Sequence, residues 1–326
     1  VTVLVTGASG FLGRAVAAAV RDAGHEVRTF QRRPSGVAGV DGGAAVSDVL
    51  GTMTDPAAVA RAVEGVDAVV HLAAKVSLAG DPADFTRVNV EGTQTLIDAA
   101  RAAGVSRFVF VSSPSVAHTG SSIAGADASP ASPDGARGDY ARTKAAAELL
   151  ALAADAPGFA VVAVRPHLVW GPGDTQLVGR IVDRARRGRL PLLDSGAALI
   201  DSCYVDNAAS AMVAALAHAA DDAVHGNAYV VTNGEPRPVA DLLDGICRAS
   251  GVPTPRWHVP AGVARAAGSL VEAVWRVRPG VDEPPMTRFL AEQLSTSHWF
   301  DQRRTRRDLQ WEPAVSIDEG LRRLAG

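Results

Sequence analysis

The stretch DYARTKAAAE, residues 139–148, sets Tyr140 and Lys144 four positions apart in a chain of 326 residues that holds three tyrosines and two lysines against thirty arginines. Roughly 0.02 such pairs are expected by chance, so the spacing carries information. On a helix the two side chains share a face. The lysine's charge then favours the phenolate and is expected to lower a phenol pKa that is otherwise about 10. Tyr140 becomes a usable proton donor near neutrality, and Lys144 can also hydrogen-bond a ribose. Arginine would not present the same compact charge. The competing reading is an exposed pair on a surface helix. A donor that positions a carbonyl oxygen is available in FVFVSSPSV, where consecutive serines end an apolar strand. Ser113 is the first choice, with Ser112 and Ser115 behind it, although serines at strand ends are also ordinary turn formers.

TGASGFLG follows the first apolar run and opens a helical one, the context a dinucleotide loop requires. Gly7 permits the tight turn, Gly10 allows close approach to a pyrophosphate, and Gly13 lets helix and strand pack closely. Ser9, Phe11 and Leu12 complete the loop, whose amides face the anion. The spacing is GxxGxxG rather than GxGxxG, and an ordinary glycine-rich turn is the alternative. Near the end of the second strand the chain reads TFQRRP. Gln31 stands where an acid would take the ribose 2′-hydroxyl of NAD, and Arg32 and Arg33 suit a 2′-phosphate, so NADP is expected. A solvated arginine pair is the competing reading.

These residues need elements to hold them. Short β-branched runs (VTVLVT, EVRTF, DAVVHLAA, RFVFVSS, AVVAVRP, NAYVVTN) alternate with alanine-rich helical stretches at 11–23, 55–64, 83–103 and 140–155. That rhythm predicts an α/β fold, a doubly wound parallel Rossmann-type sheet with helices on both faces. Residues 1–173 and 206–232 are expected to form the dinucleotide-binding domain. Residues 174–205 and 233–326, with more Pro, Arg and Trp, are expected to form a smaller, discontinuous substrate-binding region. The Ser/Ala/Gly/Pro-rich segment 119–138 reads as an exposed loop.

A formal net charge of −3, with arginines interspersed among acids, argues against nucleic acid as a partner. Cys203 and Cys247 lie far apart in no ligand spacing, which predicts neither a disulfide nor a metal site. The first residues read as a strand rather than a signal peptide, and the apolar run at 208–220 is too short to span a bilayer. A soluble cytoplasmic protein is expected.

Together TGASGFLG, HLAA at 71–74, Ser113, YARTK and RPHLVWGPGD resemble the extended short-chain dehydrogenase/reductase family over essentially the whole chain. Within it, FQRR, AAKV, SSPSVAH, VTNGEPRP and TRFLAEQLSTSHWF resemble the branch of 3β-hydroxysteroid and sterol-4-carboxylate dehydrogenases. They resemble more closely the bacterial 2-alkyl-3-oxoalkanoate reductases of long-chain olefin biosynthesis. The resemblance implies that Tyr140 is the acid/base, that Lys144 tunes it and holds ribose, and that Ser113 fixes the substrate oxygen. It implies Ala73 and Pro166 beside the cofactor, with Pro166 against the nicotinamide. The acid that usually contacts adenine is replaced in GTMTD, which leaves that contact to backbone groups of Thr52 and Met53.

The implied reaction is NADPH-dependent reduction of a 2-alkyl-3-keto acid. A steroid or sterol dehydrogenase, a nucleotide-sugar epimerase and a dinucleotide-binding scaffold without turnover are the rivals. Lys75, directly after HLAA, is a candidate partner for a substrate carboxylate, and His167 is a second. For His167 a structural role competes. Homodimerisation through the helices at 83–103 and 140–155 is implied, as are neighbouring enzymes of the same pathway. The segment 259–280 sets Val263, Ala267, Leu270, Val274 and Val277 on one helical face, suited to an alkyl pocket, to packing or to a membrane surface. RRTRRDLQW, residues 303–311, reads as a solvated or partner-facing helix.

Overall fold

Runs that are apolar throughout, rather than at alternate positions, suit strands covered on both faces. The computed structural model describes residues 1–39, 43–77, 80–118, 120–277 and 288–326, without the side chains of 272–277 and 288–290. The first half contains β1 (Thr2–Thr6), α1 (Phe11–Asp22), β2 (Glu26–Gln31), β3 (Val46–Leu50), α2 (Pro56–Val63) and β4 (Ala68–His71). α3 (Pro82–Phe85) runs through a π-helical turn, Thr86–Glu91, into α4 (Gly92–Ala102). β5 (Arg107–Val111), β6 (Ile123–Ala126), α5 (Gly138–Ala153) and β7 (Ala160–Pro166) follow. The second half adds α6 (Val178–Arg186), β8 (Leu199–Ile200), α7 (Val205–His218), β9 (Ala228–Val231), β10 (Arg237–Pro238) and α8 (Val239–Ala249). It closes with α9 (Ala261–Val277), α10 (Arg288–Ser295), β11 (His298–Phe300), α11 (Arg303–Leu309) and α12 (Ile317–Ala325).

Seven strands form one parallel sheet in the order β9-β7-β5-β4-β1-β2-β3. The order reverses between β1 and β4, the switch point where doubly wound sheets bind ligands. Side chains divide by strand alternation. Val3, Val5, Val109, Val111, Val162 and Val164 pack with α1 and α7. Leu4, Phe108, Phe110, Val161 and Ala163 pack with α2, α4 and α5. A third apolar cluster, around Trp170, Ile181, Ile200, Leu242 and Ile246, lies in the smaller lobe and meets the start of α1 through Phe11 and Leu12.

Four points differ from the sequence reading. β3 joins the sheet edge beside β2, although VSDVL has a largely exposed pattern and was not among the expected strands. The segment expected to be a loop contributes β6, which pairs with β11 in a second sheet of order β10-β8-β11-β6. β6 is therefore part of the smaller lobe's sheet although it precedes residue 173. Conversely, α11 returns to the large sheet: Thr305 Oγ1 donates to the Val230 carbonyl at 2.9 Å, and Leu309 and Trp311 enter the core beside α7. The expected solvated helix thus keeps Arg303 and Arg307 exposed while its other face is packed. On α9, Val263 and Leu270 are exposed. Val274 and Val277 lie outside the described residues. Among the described residues, no helix is long and apolar enough to cross a membrane.

Candidate active site

Because every strand of the large sheet is parallel, the residues that follow β1, β2, β4, β5 and β7 collect along one edge. Those residues are Gly7, Arg32, Leu72, Ser112 and His167 with their neighbours. At the switch point Gly7 adopts φ +75°, a left-handed conformation that suits glycine. A Cβ at Gly13 would lie 2.2 Å from the Gly7 carbonyl oxygen, so that position admits no side chain without displacing the loop. The loop rests on the end of β4, where a Cβ at Gly7 would come within 3.0 Å of Ala73 Cα. Thr6 Oγ1 pins that contact by accepting from Leu72 N at 3.1 Å and Ala73 N at 3.0 Å. α1 begins at Phe11 without a side-chain cap, which leaves its first amides open to an anion. The loop therefore fits a pyrophosphate. Arg32 and Arg33 are exposed beyond β2, while Gln31 turns inward, its amide donating to Thr29 Oγ1 at 2.8 Å. Met53 is buried in the core, so only its backbone can serve a ligand.

Tyr140 and Lys144 both lie on α5, yet their electrostatics differ from expectation. Lys144 is buried, donates from Nζ to the Val111 carbonyl at 2.7 Å, and sits 4.0 Å from the Phe110 ring centre. Burial pushes its pKa down to about 7, opposed by the carboxylate of Glu148. Tyr140 is not lowered by Lys144 in this arrangement: desolvation pushes its phenol up to about 12. Burial of the phenol outweighs the pull of the ammonium, and Lys144 itself donates to the end of β5. Ser113 caps the short 3-10 turn Pro114–Ala117 and accepts from Ser115 N at 3.3 Å and Ser115 Oγ at 3.0 Å. Its own hydroxyl proton stays available to a substrate oxygen.

Two groups essential to this arrangement were missed. Asn89, inside the π-helical turn, accepts from Lys75 N at 2.7 Å and donates to Thr143 Oγ1 at 3.0 Å, which ties the end of β4 to α5. Arg165 and Glu148, both buried, form a two-point ion pair between β7 and α5. Asn89 stands between Val88 and Val90 in a stretch rich in other polar residues, so little in the sequence singled it out, and nothing in the spacing pointed to the second.

Ser113, Ser115 and Tyr140 open onto one cavity of about 200 Å³ between the two lobes. Leu177, Ile181, Ile200, Leu242 and Leu243 make its apolar wall. His118, His167 and His298 make a polar strip, with His118 Nε2 and His298 Nε2 3.2 Å apart and the rings of His167 and His298 stacked at 5.9 Å. Lys75 is placed elsewhere. Its ammonium pairs with Asp84 Oδ2 at 3.1 Å, which leaves His167 as the expected carboxylate partner that reaches the cavity. Pro166 ends β7 beside Val231, immediately before His167.

Residues 3–232 match the NAD dependent epimerase/dehydratase family, and the chain belongs to that family of extended short-chain dehydrogenase/reductases. With the relatives below it is an NAD(P)-dependent oxidoreductase. The 2-alkyl-3-oxoalkanoate reductase of Stenotrophomonas maltophilia is 43% identical over 99% of this chain and 98% of its own. A 3 beta-hydroxysteroid dehydrogenase/Delta 5-->4-isomerase of Mycobacterium tuberculosis is 32% identical over 98% of this chain and 88% of its own. Among solved structures, a short-chain dehydrogenase/reductase superfamily protein of Agrobacterium tumefaciens with bound NAD superposes with a TM-score of 0.75. That protein is 25% identical, over 100% of this chain and 96% of its own.

Proposed function

We propose that the protein reduces the ketone of a 2-alkyl-3-oxoalkanoic acid to the hydroxy acid, with NADPH as hydride donor. The observation that carries this reading is the cavity itself, which Ser113 and Tyr140 line together with Leu177, Ile181, Ile200, Leu242 and Leu243. The full-length relative that reduces 2-alkyl-3-oxoalkanoates supports the same substrate class.

The nicotinamide, when bound, supplies a hydride to the carbonyl carbon. Ser113 donates its hydroxyl proton to the ketone oxygen and fixes that atom against Tyr140. Tyr140, fully protonated at neutral pH, transfers its proton to the oxygen as negative charge develops there. Lys144 holds the ribose and stabilises the tyrosinate left behind. Ser9, Gly10, Phe11 and Leu12 hold the pyrophosphate, and Arg32 and Arg33 take the 2′-phosphate. The apolar wall receives the alkyl chains.

A second reading, oxidation of a 3β-hydroxysteroid, is favoured by the mycobacterial relative. The two separate in one assay of nicotinamide absorbance, with a 2-alkyl-3-hydroxy acid and a 3β-hydroxysteroid each offered with NADP and with NAD. Turnover of the acid with NADP is expected, and Arg32→Ser with Arg33→Ser should raise the KM for NADP about tenfold or more while leaving that for NAD nearly unchanged. Turnover of the steroid alone would replace the first reading with the second. An NAD preference in the unaltered protein would reduce the arginine pair to surface charge.

A further inference from the structure

The substrate proposed above carries a carboxylate, yet among the described residues that line the cavity none is Lys or Arg. A carboxylate brought into such a wall must be neutralised, since an unpaired buried charge is costly. The polar strip supplies the means. His167 Nδ1 donates to the Asp201 carbonyl at 2.7 Å, which fixes the neutral tautomer and leaves Nε2 as a bare acceptor. That nitrogen is buried, lies in a residue that lines the cavity, and has no hydrogen-bond partner. A ketone offers it nothing, because a carbonyl oxygen is itself an acceptor. A carboxyl O–H satisfies it, and so does a carboxylate once Nε2 has gained a proton.

We propose, building on the substrate class inferred above, that His167 Nε2 receives the substrate carboxyl group together with one proton taken from solvent. The acid thus binds as a shared-proton pair rather than against a permanent cation. The proton is held between Nε2 and a carboxylate oxygen, and no other bond changes.

The surroundings keep the free cavity neutral. His298 stacks on His167 from β11, and His118 meets His298 from the end of the 3-10 turn. Burial pushes His167 down to about 4 and His298 to about 3, and lowers His118 as well. Beyond His118 stand the carboxylate of Glu292 and the guanidinium of Arg137, with opposite effects on it. Behind His167 the Asp201 carboxyl is turned away, accepting from Thr232 Oγ1 at 2.7 Å and Glu235 N at 3.1 Å, with the Glu235 carboxylate nearby. Tyr140 faces the same cavity and stays protonated throughout the working range. A proton can therefore arrive at His167 only when an anion arrives with it.

The sign follows. Between about pH 6 and pH 8 the free acid is ionised and free His167 is neutral, so the complex holds one proton more than its components. Affinity for the acid should fall about tenfold per pH unit across that range. The test is calorimetric titration of a 2-alkyl-3-hydroxy acid into protein saturated with NADPH, a pairing that cannot turn over, in buffers of different ionisation enthalpy. About one proton taken up per acid bound is expected, with none for the methyl ester. In His167→Gln, whose amide donates at every pH, the acid should bind without proton uptake and with a flat pH profile. Acid binding by the unaltered protein without proton uptake, or uptake unchanged in a folded His167→Gln, would overturn the inference while leaving the substrate class intact. No binding of the acid at any pH would instead remove the substrate class, and this site with it.

Discussion

Tyr140→Phe is expected to lower kcat about a thousandfold, which corresponds to roughly 4 kcal/mol of barrier. The change deletes one hydroxyl group and keeps the ring, so the wall of the cavity and its packing are retained. The proton that must reach the developing alkoxide then has no protein source beside Ser113, which already donates to the same oxygen. Cofactor affinity, read by quenching of protein fluorescence, should change less than threefold, because the glycine loop and Lys144 are untouched. The melting temperature should stay within about a degree or two of the parent. A variant that kept a tenth or more of the parental kcat would show that the proton comes from elsewhere.

The largest effect on stability is expected at Arg165. This side chain is buried, donates from Nε to Glu148 Oε2 at 2.8 Å and from a second nitrogen to the other carboxylate oxygen, and donates from Nη1 to the Ser129 carbonyl at 2.6 Å. Arg165→Met would leave the Glu148 carboxylate buried without its cation, at a cost of about 3–5 kcal/mol. Urea unfolding should show this as a lower midpoint with little change in slope. Pairing the change with Glu148→Leu should return most of the loss, since two apolar side chains of similar volume replace a costly desolvated pair. A double variant as unstable as the single one would mean that the Ser129 contact, not the ion pair, holds β7 to its surroundings. The pair also bears on the site, because Glu148 is the charge that opposes the desolvation of Lys144.

Much of the fold was legible because parallel strands leave plain marks: apolar runs of β-branched residues, each followed by alanine-rich helix. Gly7, Gly10 and Gly13 were readable from their place between the first strand and first helix, and Tyr140 and Lys144 from their rarity. Long-range desolvation was not readable. The pKa of Tyr140 depends on what closes over α5, and the neighbour of His118 is a residue 180 positions later in the chain. β6 escaped notice because IAGA has neither β-branched density nor alternation, and it is a strand only because β11 lies beside it. β3 escaped for a related reason: an edge strand with exposed polar side chains carries little hydrophobic pattern. Lys75 was a reasonable partner for a carboxylate by position in sequence, but the fold sets Asp84 within reach of it first.

The most direct measurement is isotopic. The protein would be incubated with a 2-alkyl-3-oxo acid, freshly released from its ester, and NADPH deuterated at the transferable position, and the product examined by mass spectrometry and proton NMR. One deuterium at the carbinol carbon of the 2-alkyl-3-hydroxy acid, on a single face, is expected from the unaltered protein and at most a trace from Tyr140→Phe. Recovery of unlabelled keto acid, while a 3-ketosteroid takes up the label from deuterated nicotinamide under the same conditions, would contradict the assignment.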